Sequence, residues 1–140
     1  MTPAELTQYL HEKIPLTRAM ELRVVSANRA EFIVTAPLEA NHNHLGTAFG
    51  GSLSALATVA GYAFIWHELG DASAHVVIRD SSMNYRRPVR GELRAVCVMP
   101  SIEEIDAFRE TFARTGKARL NLTVQIEDAA EFSGTYVALR

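Results

Sequence analysis

Four groups of residues in this sequence are of types that do chemistry. Gly50 and Gly51 adjoin at the start of an apolar run, with Gly46 just before them. Glycines opening a helix leave backbone N–H groups bare, and the helix dipole favours negative charge there. That is an anion or oxyanion site; the competing reading is a tight turn with close helix–sheet packing. Asp80, Ser82 and Asn84 alternate within VVIRDSSMNY, which as a strand puts positions 78, 80, 82 and 84 on one face. A carboxylate on that face, aimed at the glycines, would be a general base; the alternative is an ion pair with Arg79 or Arg86. His42 and His44 form a His-x-His pair that suits acid–base work near neutrality or a solvated loop. No adjacent cysteine or carboxylate cluster completes a ligand set, so no metal is expected. Arg86, Arg87 and Arg90 surround Pro88. Guanidinium forks suit phosphates, though a solvated basic turn has the same composition.

The element that must position the glycines is the run Leu45 to Trp66, LGTAFGGSLSALATVAGYAFIW, which holds no charged residue. Its length alone would suit a membrane span. Ser52, Ser54, Thr58 and the paired glycines argue against that, as does the lack of a flanking basic cluster. The run therefore predicts a buried helix over about 48–69, stopped near Gly70-Asp71. Small residues along it (Ala55, Ala57, Ala60, Gly61) let a sheet approach closely. Phe49 is expected to line a pocket, with Tyr62, Phe64 and Trp66 as core or pocket wall.

Around this helix the chain reads mostly as strand. Thr2-Pro3-Ala4-Glu5 starts a short helix with a capping box, and Pro15 ends it. Leu22–Ser26 and Glu31–Ala36 form a hairpin. His75–Tyr85, Glu92–Met99, Ala118–Glu127 and Phe132–Leu139 are further strands. Ser101-Ile-Glu-Glu caps a helix reaching about Arg114. The expected class is α+β, an antiparallel sheet curled around one long helix.

Composition narrows the function classes. The chain of 140 residues suits one domain, 1–140, and its net charge of −2 gives nucleic-acid binding no electrostatic support. Cys97, the only cysteine, sits in the apolar run VCVM and reads as a buried thiol. The N-terminus lacks the basic-then-apolar pattern of a secretory signal, so the expectation is a cytoplasmic protein.

The stretch Asn43, Gly46-Thr47, Phe49-Gly50-Gly51 resembles the Asn-x-x-Gly-x-x-His-Gly-Gly motif of hotdog-fold acyl-thioesterases. Met83-Asn-Tyr-Arg-Arg-Pro-Val-Arg-Gly-Glu92 resembles the segment that follows the central helix in that superfamily. Ala36-Pro-Leu with Asn41 and Asn43, then GTAFGGSL, then VVIRDSSMNYRRPV, is similar to the thioesterase domain at the C-terminus of YiiD-type bacterial acetyltransferases. The resemblance runs from about Ile14 to the end. It implies a hotdog fold and thioester hydrolysis, with no cofactor beyond the coenzyme A or phosphopantetheine of the substrate. It also implies a homodimer or a dimer of dimers with the acyl tunnel between subunits.

The resemblance further implies roles. The amide of Gly50 or Gly51 would hold the carbonyl oxygen, and Asn43 would orient the thioester or the attacking water; its rival role is a turn residue. His44, Phe49, Ser82, Arg86 and Arg87 would contact the substrate. Two positions depart from the superfamily: Phe49 stands where many relatives have His, and Thr58 where many have Asp or Glu. Thr58, on the same helix face as Gly51, could position a water or bond a carbonyl one turn back. Asp80 or a loop histidine would then supply the base. The alternative is a non-catalytic acyl-CoA-binding or regulatory module. A dehydratase would need a His–carboxylate pair not evident here, and an interaction domain linked to an acetyltransferase is the remaining reading.

Overall fold

Two of the four helix starts are set by short polar caps. In the computed structural model, which describes all 140 residues, Thr2 and Glu5 exchange side-chain and backbone hydrogen bonds at the start of α1, Pro3–Lys13. Ser101 and Glu104 do the same for the amphipathic helix α4, Ile102–Thr115. Pro15 ends α1 at Ile14 as expected, then opens a further helix, α2, Pro15–Ala19. The sequence pattern predicts no such element; proline breaks the helix before it yet suits the first position of the next.

The central helix α3 spans Gly50–Leu69 and stops at Gly70, whose φ of 62° is the left-handed cap that glycine permits. The strands are β1 Arg23–Ala27, β2 Phe32–Ala36, β3 His75–Tyr85, β4 Leu93–Cys97, β5 Lys117–Ile126 and β6 Ala130–Leu139. They form one sheet in the order β1-β2-β4-β5-β6-β3, with every neighbouring pair antiparallel. β5 and β6 alternate buried and open residues along their length, so one face turns inward. α3 lies against that inner face and touches β2, β3, β4, β5 and β6. This wrapping explains why the helix is apolar on all sides. No helix of the protein is long and apolar enough to cross a membrane. The expected hotdog arrangement is the one observed.

The closest approach lies at Gly61. A Cβ there would sit 2.2 Å from the Tyr136 ring, and the Tyr136 hydroxyl donates to the Thr58 carbonyl at 2.7 Å. The ring thus needs a residue without a side chain opposite it. Burial pushes the Tyr136 hydroxyl far above its ordinary pKa. α4 packs beside the half of β5 that β4 leaves unpaired, with Phe108 and Phe112 in the core.

One expectation about β3 fails. Its register against β6 slips between Ile78 and Asp80, so Ile78 faces Tyr136 while Asp80 faces Thr135. Adjacent residues of β6 point to opposite faces. The bulge at Arg79 therefore puts Asp80 and Ile78 on opposite sides, where unbroken alternation had put them together. Val76, Ile78, Ser81, Met83 and Tyr85 pair with the inward residues Ala138, Tyr136, Gly134, Phe132 and Ala130. Asp80, Ser82 and Asn84 face outward.

Candidate functional site

α3 begins without a side-chain cap. Its N-cap residue is Phe49, which cannot accept a hydrogen bond through its ring. The Phe49 N–H donates to the Asn41 carbonyl at 2.8 Å, and the Ser52 and Leu53 N–H groups turn back to the Phe49 carbonyl at 2.9 and 3.1 Å. The amides of Gly50 and Gly51 lie between these and meet no protein acceptor. Two bare donors at the positive end of a 20-residue helix are a ready anion site.

Two aromatic rings stand beside the glycines. A Cβ on Gly51 would come 2.4 Å from the Phe49 ring, and one on Gly50 would come 3.5 Å from the Tyr85 ring. The Tyr85 hydroxyl donates to the Gly50 carbonyl at 3.2 Å. Both rings stay open to solvent, at 55% for Phe49 and 54% for Tyr85, and Leu45 nearby in the loop is 75% exposed. Tyr85 had no place among the sequence candidates. The strand alternation that pointed to Asp80 would have pointed to Tyr85 had the bulge been visible.

The loop before α3 is held by its two asparagines. Asn43 Oδ1 accepts from the Leu45 and Thr47 amides at 2.9 and 3.1 Å, and Nδ2 donates to Thr47 Oγ1 at 2.8 Å. Asn43 is thus the turn residue of its own loop, the bland half of what its type allowed. Asn41 is 2% exposed and ties the loop to the body, donating to the Met20 and Pro37 carbonyls at 2.9 and 2.8 Å. Its Oδ1 is buried without a partner. In sequence the two asparagines look alike; burial separates them. His42 pairs across the loop with Ala48, and its Nδ1 lies 2.8 Å from the Asn43 carbonyl. A carbonyl only accepts, so the tautomer that suits this contact has the proton on Nδ1 and a lone pair on Nε2. His44 is exposed.

Thr58 bonds one turn back, Oγ1 donating to the Ser54 carbonyl at 2.8 Å. It lies in a groove of about 750 Å³ whose wall includes Leu16, Ala55, Tyr62, Trp66 and Val77. The groove follows α3 from Ala55 to Trp66 and passes the first residues of β3, His75 to Val77. Tyr62 and Trp66 are pocket wall, whereas Phe64 is fully buried core.

The polar candidates on β3 lie elsewhere. The Asp80 side chain is 67% exposed on the outer face, 3.9 Å from Arg79, and does not face the start of α3. Ser82 shares that outer face and does not line the groove. Arg86 and Arg87 have carboxylate neighbours: Glu131 at 3.8 Å and Asp128 at 2.9 Å. Arg90 has no ion pair, and its neighbour Val89 accepts from the Ala48 N–H at 2.9 Å, which binds this turn to the segment leading into α3. Of the three arginines of this turn, Arg90 alone is left without a carboxylate partner, one residue beyond that backbone bond. Cys97 is buried in the core, which pushes its thiol up to about 12 and leaves no nucleophilic thiolate.

The chain is similar in sequence and shape to known proteins over nearly its whole length. Residues 3–140 match the family model described as "Putative thioesterase (yiiD_Cterm)". A protein of unknown function from Chlorobaculum tepidum is 32% identical, with 99% of this chain and 94% of that one aligned and a TM-score of 0.90. A protein from Shewanella oneidensis described as a putative thioesterase is 26% identical over 99% of this chain and 97% of its own, with a TM-score of 0.82. A Pseudomonas aeruginosa protein described as a probable thioesterase is also 26% identical, over 99% and 96%, with a TM-score of 0.80. With a full-length model match and a hotdog sheet closed on a bare-ended helix, this chain belongs to the YiiD C-terminal thioesterase family.

Proposed function

We propose that this protein hydrolyses acyl thioesters of coenzyme A or of a phosphopantetheine carrier in the cytoplasm, as a homodimer or dimer of dimers. The observation that carries the reading is the pair of unbonded amides at Gly50 and Gly51, in a chain of this family. The thioester carbonyl oxygen accepts from these donors, and the charge that develops on it as water attacks strengthens both bonds. One such donor is worth about 10²–10³ in rate. His42 Nε2 takes the proton of the attacking water, and the tetrahedral intermediate then expels the thiolate. The imidazolium returns the proton to the departing sulfur, which balances the step. The acyl tail lies in the groove along Ala55, Thr58 and Tyr62, and Arg90 meets the phosphates of the carrier. Asn43 acts by shaping the loop that presents His42 and Phe49.

The dimer reading rests on β3. It is 11 residues long and pairs only with β6, so its second edge carries open backbone donors and acceptors. Such an edge calls for cover. A second copy laid along it would also roof the adjacent groove, whose wall includes Val77, 46% exposed.

A second reading has an observation of its own. Thr58 spends its proton on Ser54, and Asp80 faces away, so neither position offers a base to the bare amides. A binder that holds acyl-CoA without cleaving it needs none. Release of free thiol from a panel of acyl-CoA and acyl-carrier substrates separates the two. Turnover lost in His42→Ala supports hydrolysis; tight binding with no turnover on any substrate selects the binder.

A further inference from the structure

We infer that Tyr85 is a positioning residue for the proposed thioester reaction, acting through the Gly50–Gly51 peptide group. This rests on the thioesterase reading above. The Gly50 carbonyl and the Gly51 N–H belong to one conjugated peptide unit, planar and trans. Tyr85 donates its hydroxyl to the oxygen of that unit. The nitrogen end is one of the two bare amides. A hydrogen bond at the carbonyl draws electron density from the nitrogen and makes its N–H a stronger donor. The chain of bonds is then tyrosine hydroxyl, peptide, substrate oxygen.

The geometry favours the transition state over the ground state. At 3.2 Å the Tyr85 bond is long for an O–H···O contact, whose usual length is about 2.7–2.8 Å. When the substrate oxygen becomes an oxyanion it polarises the peptide, the Gly50 carbonyl becomes more basic, and the Tyr85 bond tightens. An interaction that grows only as charge develops raises kcat and leaves KM alone. The placement of the side chain also speaks for a role at the site. Tyr85 points inward from the last position of β3, against Gly50, yet its ring remains 54% exposed.

The test uses the whole protein and two readouts. Tyr85→Phe keeps the ring and removes the donor. The expected result is a kcat lower by about 3- to 10-fold, the worth of one neutral hydrogen bond, with KM within about twofold. The second readout needs no turnover. In ¹⁵N-labelled protein the Gly51 amide proton moves upfield in Tyr85→Phe. Site-directed 3-fluorotyrosine at position 85, measured at a pH low enough to keep the phenol protonated, keeps the shape, strengthens the donor and moves it downfield. A Gly51 resonance unmoved by both changes overturns the inference, as does a rise in KM with kcat intact. A wild type that cleaves no thioester defeats the hydrolase reading instead, and the Gly51 shift then still decides whether Tyr85 acts on that peptide. Should Tyr85→Phe not fold, the fluorinated variant carries the decision.

Discussion

The two ends of α3 are built on opposite rules. From Val59 to Trp66 the helix is nearly all buried, Gly61 accepts the Tyr136 ring at contact, and the Trp66 indole donates to the Ala74 carbonyl at 3.0 Å. At Gly50–Gly51 the same helix has no side-chain cap, two unanswered amides and two solvent-open aromatic rings. Both ends use glycine, for different reasons. Gly61 admits a neighbour from the sheet, and Gly51 leaves a donor accessible. A glycine in an apolar helix thus says little by itself; what stands opposite its missing Cβ says whether it serves packing or chemistry.

The largest effect that would sharpen this contrast is on stability. Gly61→Ala forces a methyl onto the Tyr136 ring in a closed core, and we expect a loss of about 3 kcal/mol, the upper range for overpacking. Denaturant unfolding measures it. Trimming Tyr136 to valine in the same chain should recover part of the loss, because the two changes share one space. Gly51→Ala is the counterpart at the open end. The Phe49 ring can swing aside, and alanine is the better helix former by up to about 1 kcal/mol, so melting should change little. The added methyl crowds the amide, and thioester turnover should fall about 10- to 100-fold. Equal loss of stability from both alanines would erase the distinction between the ends.

The buried side of the helix also has a pH signature. Burial raises the Cys97 thiol from 9.0 to about 12 and raises Tyr136 as well. An acid with a raised folded-state pKa stabilises the fold fully below its unfolded pKa and loses that contribution as pH rises through the folded one. Stability should therefore decline from about pH 9 toward 12, the window of the Cys97 shift. Cys97→Ala would remove part of the slope between those values, traded against the cavity it leaves. A melting temperature flat across this range would show that the core tolerates these charges.

Legibility from sequence followed the same division. The buried helix, its Gly70 stop, both capping boxes and all six strand segments could be read from periodicity and punctuation, because these are local. α2 was hidden because a proline that ends one helix also starts another. The glycine start stood out since backbone amides do not depend on a side chain. Roles for side chains were harder to read. Asn43 and Asn41 differ only in what the fold buries, and Arg86 and Arg87 were answered by Glu131 and Asp128 from 41 or more residues away. Tyr85 was missed for a single reason, the bulge at Arg79, which shifts every later residue of β3 relative to those before it.

That bulge gives the smallest predicted effect and the most discriminating. Counted by plain alternation from Ile78, Asp80 faces the helix and is the base; paired through the bulge, it faces solvent beside Arg79. A surface ion pair of this kind contributes about 0–1 kcal/mol. Asp80→Ala should thus leave both melting temperature and kcat/KM within about twofold of wild type, while His42→Ala and Tyr85→Phe lower turnover. The contrast also holds for a second copy along the β3 edge, because a sheet continued through that edge keeps its two faces distinct and carries the partner's β3 with its own Asp80 outward. A large loss of kcat in Asp80→Ala would mean that the register slips back in solution, and Tyr85 would then lose its inward place together with its role.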